Sequence, residues 1–297
     1  MISIIISSAR KELLAQVTLN IESTIGIEYE IISFENSTGD KSISTLYNEG
    51  ARKAKYSLLC FMHEDIVIQT TDWGKIVERC FANQLNLGIL GVAGAAYKTY
   101  APSGWDVEGF EGEMKYINYV QSSKQSIYPD QIVYHNAEGI NIAPVACVDG
   151  MWFSTRKSIA LEKPFDEQLL AGFHGYDIDF CLNVGQTYAV AVTFEIIMKH
   201  LSMGNFGKDW FLDTLKLYEK WAFILPIKKK DISGIHQVTF EKRAFKRTIR
   251  DMLNYGFMRS QALNILVKAR KANKISLKLF IKLVIYLYSK SRNTKKS

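Results

Sequence analysis

Six side chains in this 297-residue chain have the types to act together on a charged ligand: His63, Glu64 and Asp65, then Asp177 and Asp179, then His200. Carboxylates with imidazoles suit a hard cation such as Mg²⁺ or Mn²⁺, which takes carboxylate and phosphate oxygens and tolerates an imidazole. Asp65 and His200 are the candidate metal ligands, leaving coordination positions for a diphosphate. Asp177, at the start of a helix, is the candidate general base. Each signal also has an ordinary reading. A lone histidine after a strand is commonly structural, and two aspartates two apart commonly open a helix, where carboxylates favour the dipole and cap amides. For Asp179 the structural reading is the better one.

These groups need a scaffold that ends where they begin. The apolar run from Leu58 to Met62 is too short for a helix and reads as a strand buried on both faces. It delivers His63-Glu64-Asp65 to the carboxyl edge of a sheet, where open α/β folds bind ligands. Ile2–Ile6 and Tyr29–Phe34 read as two further strands. Helical patterns lie between them, through Leu13, Leu14, Val17 and Leu19, and from Ser42 to Lys55 with Ile43, Leu46, Tyr47 and Ala51 on one face and Ser42 as cap. This βα-βα-β order predicts a parallel, doubly wound sheet. A helix over Asp72–Leu85 and a strand over Leu87–Val92 continue it. Ile140–Val148 reads as extended, and Tyr188–Ile197 as a strand with His200 just beyond its end.

The loop after the first strand, Ser7-Ser8-Ala9-Arg10, contains no glycine, which disfavours a dinucleotide site of the G-x-G-x-x-G type. Glu35 to Asp40 either meets a base and ribose or is simply a turn. Residues 97–140 carry Gly104, Gly109 and Gly112 among Tyr97, Tyr100, Trp105, Phe110 and Tyr116, and form either a lid or a small antiparallel insertion.

Hydrophobic residues at 47% and charged residues at 23% are ordinary globular usage and exclude a mainly disordered chain. Cys60, Cys80, Cys147 and Cys181 are scattered in apolar surroundings and read as free thiols of a reducing compartment. No basic stretch precedes the first apolar run, so a secretory leader is not expected. The net charge of +7 is unevenly spread: residues 252–297 hold eleven basic side chains and no acidic one. Ile275 to Tyr288 is apolar but interrupted by Lys278 and Lys282, too short and too charged to span a bilayer. It reads either as an interfacial helix with a basic skirt, suited to an anionic membrane surface, or as a packed helix with its lysines in water. No aromatic-rich basic motif of a nucleic-acid module accompanies it, and no nucleic-acid partner is expected.

The order of Ile2–Ile6, Glu35-Asn36, Tyr47-Asn48-Glu49-Gly50-Ala51, Phe61-Met62-His63-Glu64-Asp65, Val148-Asp149-Gly150, Phe165-Asp166-Glu167, His174-Gly175-Tyr176-Asp177-Ile178-Asp179-Phe180 and Lys199-His200 resembles the GT-A fold glycosyltransferases of family two. More narrowly, it resembles their bacterial glycosyltransferase-like branch, linked to capsule and surface polysaccharide synthesis. The resemblance implies an α/β GT-A domain over residues 1–221, Rossmann-like with a mostly parallel sheet flanked by helices, and a basic, largely helical extension over 222–297. It implies an inverting hexosyltransferase that needs a divalent cation, Mn²⁺ or Mg²⁺. The donor would be a nucleotide-diphospho-sugar, expected to be a UDP-sugar, and the acceptor a glycan or lipid-linked hydroxyl. The enzyme would be cytoplasmic, peripheral at the inner face of the plasma membrane.

By the same resemblance, Asp65 stands where an Asp-x-Asp motif ends on the metal, His200 where a histidine completes that site, and Asp177 where the base sits. Ser7, Glu35, Asn36, Asn48, Ala51, His63, Glu64 and Asp149 fall where the family meets nucleotide or sugar. The chain departs from the pattern twice, with His63 in place of the first aspartate and Tyr176 in place of a glutamate before the base. Those departures leave a second reading open, a non-catalytic GT-A-like binding or scaffold subunit of a membrane-associated polysaccharide complex.

Overall fold

In the computed structural model, which describes residues 1–107, 114–122 and 129–290, alternation along the strands decides which side chain meets which layer. Gly109, Phe110 and Gly112 of the insertion, and Arg292, Lys295 and Lys296 of the basic tail, lie outside the described residues. Strand β1 (Ile2–Ser8) sends Ile2, Ile4 and Ile6 to one buried layer and Ile5 to the other, the two-residue period of a strand covered on both faces. The chain continues through α1 (Lys11–Thr24), β2 (Tyr29–Glu35) and α2 (Ile43–Lys53), whose first turn is capped by Ser42 accepting from the Thr45 amide. In β3 (Leu58–Met62), Leu59 and Phe61 face one layer while Cys60 and Met62 face the other. A short β4 (Ile66–Ile68), α3 (Trp73–Asn83) and β5 (Leu87–Gly91) follow.

The chain then forms β6 (Ala93–Ala95), β7 (Tyr97–Lys98), β8 (Lys115–Gln121), β9 (Gln131–His135), β10 (Ile142–Pro144) and β11 (Cys147–Val148). β8 pairs antiparallel with β6 and β9, so the described part of the 97–140 insertion takes the antiparallel form, one of the two open from sequence, while β10 joins the edge of the main sheet beside β13. β12 (Trp152–Arg156) enters the middle of the main sheet, and the chain then runs through α4 (Lys157–Glu162), α5 (Tyr176–Val184), β13 (Ala189–Thr193), β14 (Met198–His200), α6 (Lys208–Trp221), β15 (Ile227–Lys228), α7 (Gly234–Asn254), α8 (Arg259–Lys271) and α9 (Leu277–Ser289).

The main sheet has the order β10-β13-β5-β12-β3-β1-β2. β2, β1 and β3 are parallel, as are β5 and β13. The sheet is mixed rather than wholly parallel, because β12 runs antiparallel between β3 and β5 and β10 runs antiparallel to β13. The inversion of β12 matters for chemistry. The start of β12 lies beside the end of β3, with Trp152 opposite Met62, so Asp149, Gly150 and Met151 are brought to the carboxyl edge of β3. A second sheet, β11-β6-β8-β14-β4, does the same for another segment. β14 pairs antiparallel with β4, placing His200 opposite Ile66. His200 thus ends a strand of its own instead of trailing the preceding one.

The buried core runs on across residue 221. Phe240, Ala244, Phe245, Ile249, Met252 and Leu253 of α7 share it with Tyr97, Tyr100, Tyr218 and Trp221. Glu241, buried in the same place, accepts from the Tyr97 hydroxyl at 2.6 Å and from the backbone amides of Tyr100 and Ala101 at 2.8 and 3.3 Å. An amide left unpaired there would cost about 1–3 kcal/mol, so one carboxylate holds the start of the insertion against α7. Thr248 adds a bond to the Pro102 carbonyl. Helix α9 packs inward through Leu279, Leu283 and Leu287. Among the described residues, no helix is long and apolar enough to cross a membrane.

Candidate active site

Three segments distant in sequence meet at the carboxyl edge of β3. Asp65 follows β3, His63 is tied by its amide to the Met151 carbonyl at 2.9 Å, and the Leu201 amide bonds the Asp65 carbonyl at 2.9 Å. These backbone bonds aim two imidazoles at one carboxylate oxygen. His200 Nε2 lies 3.6 Å and His63 Nδ1 3.9 Å from Asp65 Oδ1. That oxygen is buried and has no hydrogen-bond partner. One ligand atom from each of the three residues falls within 4.8 Å of the others, close enough to share a metal ion.

The electrostatics agree with that geometry. Burial alone would push the Asp65 carboxyl up, but the imidazoles of His200 and His63 outweigh it and hold the group below the ordinary carboxylate range. In His200 burial acts downward, yet contact with Asp65 prevails and the imidazole is raised. His63 is lowered, chiefly by burial, against the opposing pull of Asp65. A buried acid that stays ionised, with a lone-pair oxygen free, fits a cation better than a proton.

Asp177 opens α5 behind a left-handed Gly175 (φ 79°). Its carboxyl is pushed up to about 7, by burial first and then by the charge of Asp149, while backbone amides at 150, 177 and 178 restrain the rise. Asp149 is held from two sides. The Trp105 indole donates to Oδ2 at 2.8 Å, and the Met151 amide donates to Oδ1 at 2.8 Å. Trp105 comes from the insertion that sequence patterning left unreadable, and no local signal singles it out. Asp179 faces the other way, receiving Lys220 Nζ at 2.8 Å and the Trp221 indole at 2.7 Å inside the core.

The expected nucleotide and sugar residues divide. Ser7 is half-buried near the end of β1, opposite Phe34. Glu35 is exposed at the end of β2, and Asn36 just after it is half-buried and closes a loop through the Lys41 carbonyl and amide at 2.8 and 3.3 Å. Glu64 turns away from Asp65 and accepts from the Ser8 hydroxyl and the Arg10 amide, tying down the loop after β1. Two of the expected residues are buried. Asn48 is 4% exposed. It bonds the Phe165 carbonyl and amide, each at 2.9 Å, and the Glu167 carboxylate at 2.7 Å. Ala51, 1% exposed, is packed into the core. Both lie on the inward face of α2, which turns toward the sheet because that face is the apolar one.

The family described as "Glycosyltransferase like family" matches residues 3–210. Comparison with curated proteins returns no match. Among solved structures, GalNAc-T7 with UDP, GalNAc and Mn²⁺ is similar at a TM-score of 0.53 and 9% identity, covering 99% of this chain and 58% of that one. TarS of S. aureus is similar at a TM-score of 0.53 and 10% identity, covering 97% of this chain and 52% of that one. Its residues 1–349 in complex with UDP-GlcNAc align at 0.51 and 10% identity, covering 95% and 81%. The chain thus spans little more than half the length of GalNAc-T7 and of the longer TarS chain, and identities this low speak to fold alone.

The structural place of Asn48 has a direct test. Asn48→Ala leaves the Phe165 amide and carbonyl without partners and should lower the unfolding free energy by about 3 kcal/mol, measured by urea denaturation. The affinity of the folded variant for a nucleoside diphosphate should match wild type; a selective loss of affinity would return Asn48 to the ligand site.

Proposed function

The chain belongs to the glycosyltransferase-like family and is a glycosyltransferase, and we propose that it moves a sugar from a UDP-sugar, with inversion at the anomeric carbon, to a hydroxyl of a glycan or lipid-linked acceptor in the assembly of a bacterial surface polysaccharide. The observation that carries this reading is the convergence of His63 Nδ1 and His200 Nε2 on the unpartnered, buried Oδ1 of Asp65, next to the raised carboxyl of Asp177. The residues fit a divalent cation, Mn²⁺ or Mg²⁺, held by Asp65 and His200. When bound, such an ion supplies positive charge against the departing diphosphate.

Asp177 takes the proton of the acceptor hydroxyl as that oxygen bonds to the anomeric carbon. The bond from that carbon to the diphosphate oxygen breaks on the opposite face. One displacement inverts the centre and asks for a single base, unlike the paired carboxylates of glycoside hydrolysis. A base with a pKa near 7 is half-deprotonated at neutral pH while still accepting a proton readily. Asp149, held by Trp105 and Met151, offers a fixed carboxylate for a sugar hydroxyl. Ser7, Glu35 and Asn36, at the ends of β1 and β2, are the proposed nucleotide contacts.

The acceptor's setting follows from α9. Leu277, Ile281, Ile285 and Tyr288 are exposed along one stripe, and Lys278, Lys282 and Lys290 are exposed around it. Apolar side chains at this spacing with lysines at their margin suit insertion at an anionic bilayer surface, each lysine adding about 1 kcal/mol near the lipid headgroups. We place the enzyme at the inner face of the plasma membrane.

Thermal melts with a panel of nucleoside diphosphates should rise for one nucleotide when Mn²⁺ is present, and this shift should vanish in Asp65→Ala. No shift for any nucleotide with a folded protein would favour a scaffold subunit instead. Because the active form of Asp177 is the carboxylate, kcat/KM should climb from pH 6 to pH 8 with an apparent pKa near 7. Asp177→Asn should lower turnover by about 10²–10⁴-fold without loss of nucleotide affinity. Finally, the protein should sediment with phosphatidylglycerol vesicles and not with phosphatidylcholine alone. Ile281→Glu with Ile285→Glu should abolish sedimentation and leave UDP-sugar hydrolysis unchanged.

A further inference from the structure

The two positions at which the chain departs from its family's pattern, 113 residues apart, touch each other. His63 Nε2 lies 2.8 Å from the hydroxyl oxygen of Tyr176. A phenol has one proton to donate, and Tyr176 donates it to the Gly150 carbonyl at 3.0 Å. The phenol oxygen is left as an acceptor toward His63, so the shared hydrogen belongs to His63 Nε2. In a neutral imidazole with Nε2 protonated, Nδ1 is a bare lone pair. Nδ1 is the atom aimed at Asp65 Oδ1.

The surroundings hold this arrangement in place. The Tyr176 ring packs edge-on against Tyr47, with centroids 5.4 Å apart, and lies 6.4 Å from Phe165. The hydroxyl reaches the carbonyl only because residue 150 has no side chain: a Cβ there would stand 2.4 Å from the Tyr176 oxygen. From the other side, the His63 amide is bonded to Met151, the residue next to Gly150. One short segment, 150–151, therefore fixes both the backbone of His63 and the acceptor for its ring.

We infer that Tyr176 is a positioning residue that sets the tautomer and direction of His63, making His63 Nδ1 a third ligand of the cation beside Asp65 and His200 rather than a contact to the nucleotide. The inference rests on the cation reading of the site. Hydrogen bonds to the far nitrogen of a ligating histidine commonly serve this purpose, and their loss weakens metal affinity by about 10–100-fold.

The test separates the tautomer from the metal. In wild-type protein free of metal, ¹⁵N spectra of labelled histidine should show His63 with Nε2 protonated and Nδ1 unprotonated. Tyr176→Phe keeps the ring and its packing but removes the acceptor. It should mix the tautomers and weaken Mn²⁺ binding of the folded protein, followed by calorimetry well below its melting temperature, about 10–100-fold. His63→Ala should weaken binding at least as much, and adding Tyr176→Phe to it should cost nothing further. A protonated Nδ1 in wild type overturns the inference, and so does a Tyr176→Phe protein with the same tautomer and the same Mn²⁺ affinity. A wild-type protein with the expected tautomer that binds no divalent cation overturns the ligand role together with the cation site, and the metal-free spectrum tells that failure apart from the others.

Discussion

A buried carboxylate oxygen facing two imidazole nitrogens and making no hydrogen bond is the arrangement on which the site depends. An isolated ionised carboxylate in such a place would cost several kcal/mol, and the His200 contact at 3.6 Å offsets part of that. The main-chain architecture serves this convergence. β3 carries His63 and Asp65 to a sheet edge, the antiparallel entry of β12 brings residues 149–151 beside them, and the pairing of β14 with β4 supplies His200. Remove any of these registers and Asp65 loses a neighbour.

The buried carboxylates fall into two kinds, and the difference lies in how completely they are hydrogen-bonded. Asp179 has Lys220 and Trp221 against it, and Glu241 has a hydroxyl and two amides. Burial pushes both upward in pKa, yet their oxygens are occupied, and what they do is hold α6 to α5 and α7 to residues 97–101. Asp65 keeps one oxygen free, and Asp177 is raised with only backbone amides to restrain it. Unfilled capacity at a sheet edge is what chemistry can use.

The same logic ties the helices after residue 221 to the site. Glu241 and Thr248 of α7 hold residues 97–102, and three residues later Trp105 reaches Asp149. A segment without strong local patterning is thereby given a defined course by contacts nearly 150 residues away in sequence. Helix α9 adds nothing to that clamp on its outer side, where its apolar stripe stays open.

Much of the scaffold was legible from local order. Alternation in Ile2–Ile6 and Leu58–Met62, the helical spacing of Ile43, Leu46, Tyr47 and Ala51, and the polar step at His63-Glu64-Asp65 each depend on residues within a few positions of one another, so the sequence by itself determined these strands, this helix and the sheet edge that bears the acids. The same helical spacing that placed Asn48 and Ala51 on a face of α2 was silent on what that face meets, and the structure turns it inward. The inversion of β12, the place of Trp105, the neighbours of Asn48 and the contact between His63 and Tyr176 were decided only by tertiary structure. Their physical reason is common to all four: each is a pairing between distant segments, chosen by which buried polar groups find partners once the layers close, and no local period records that choice.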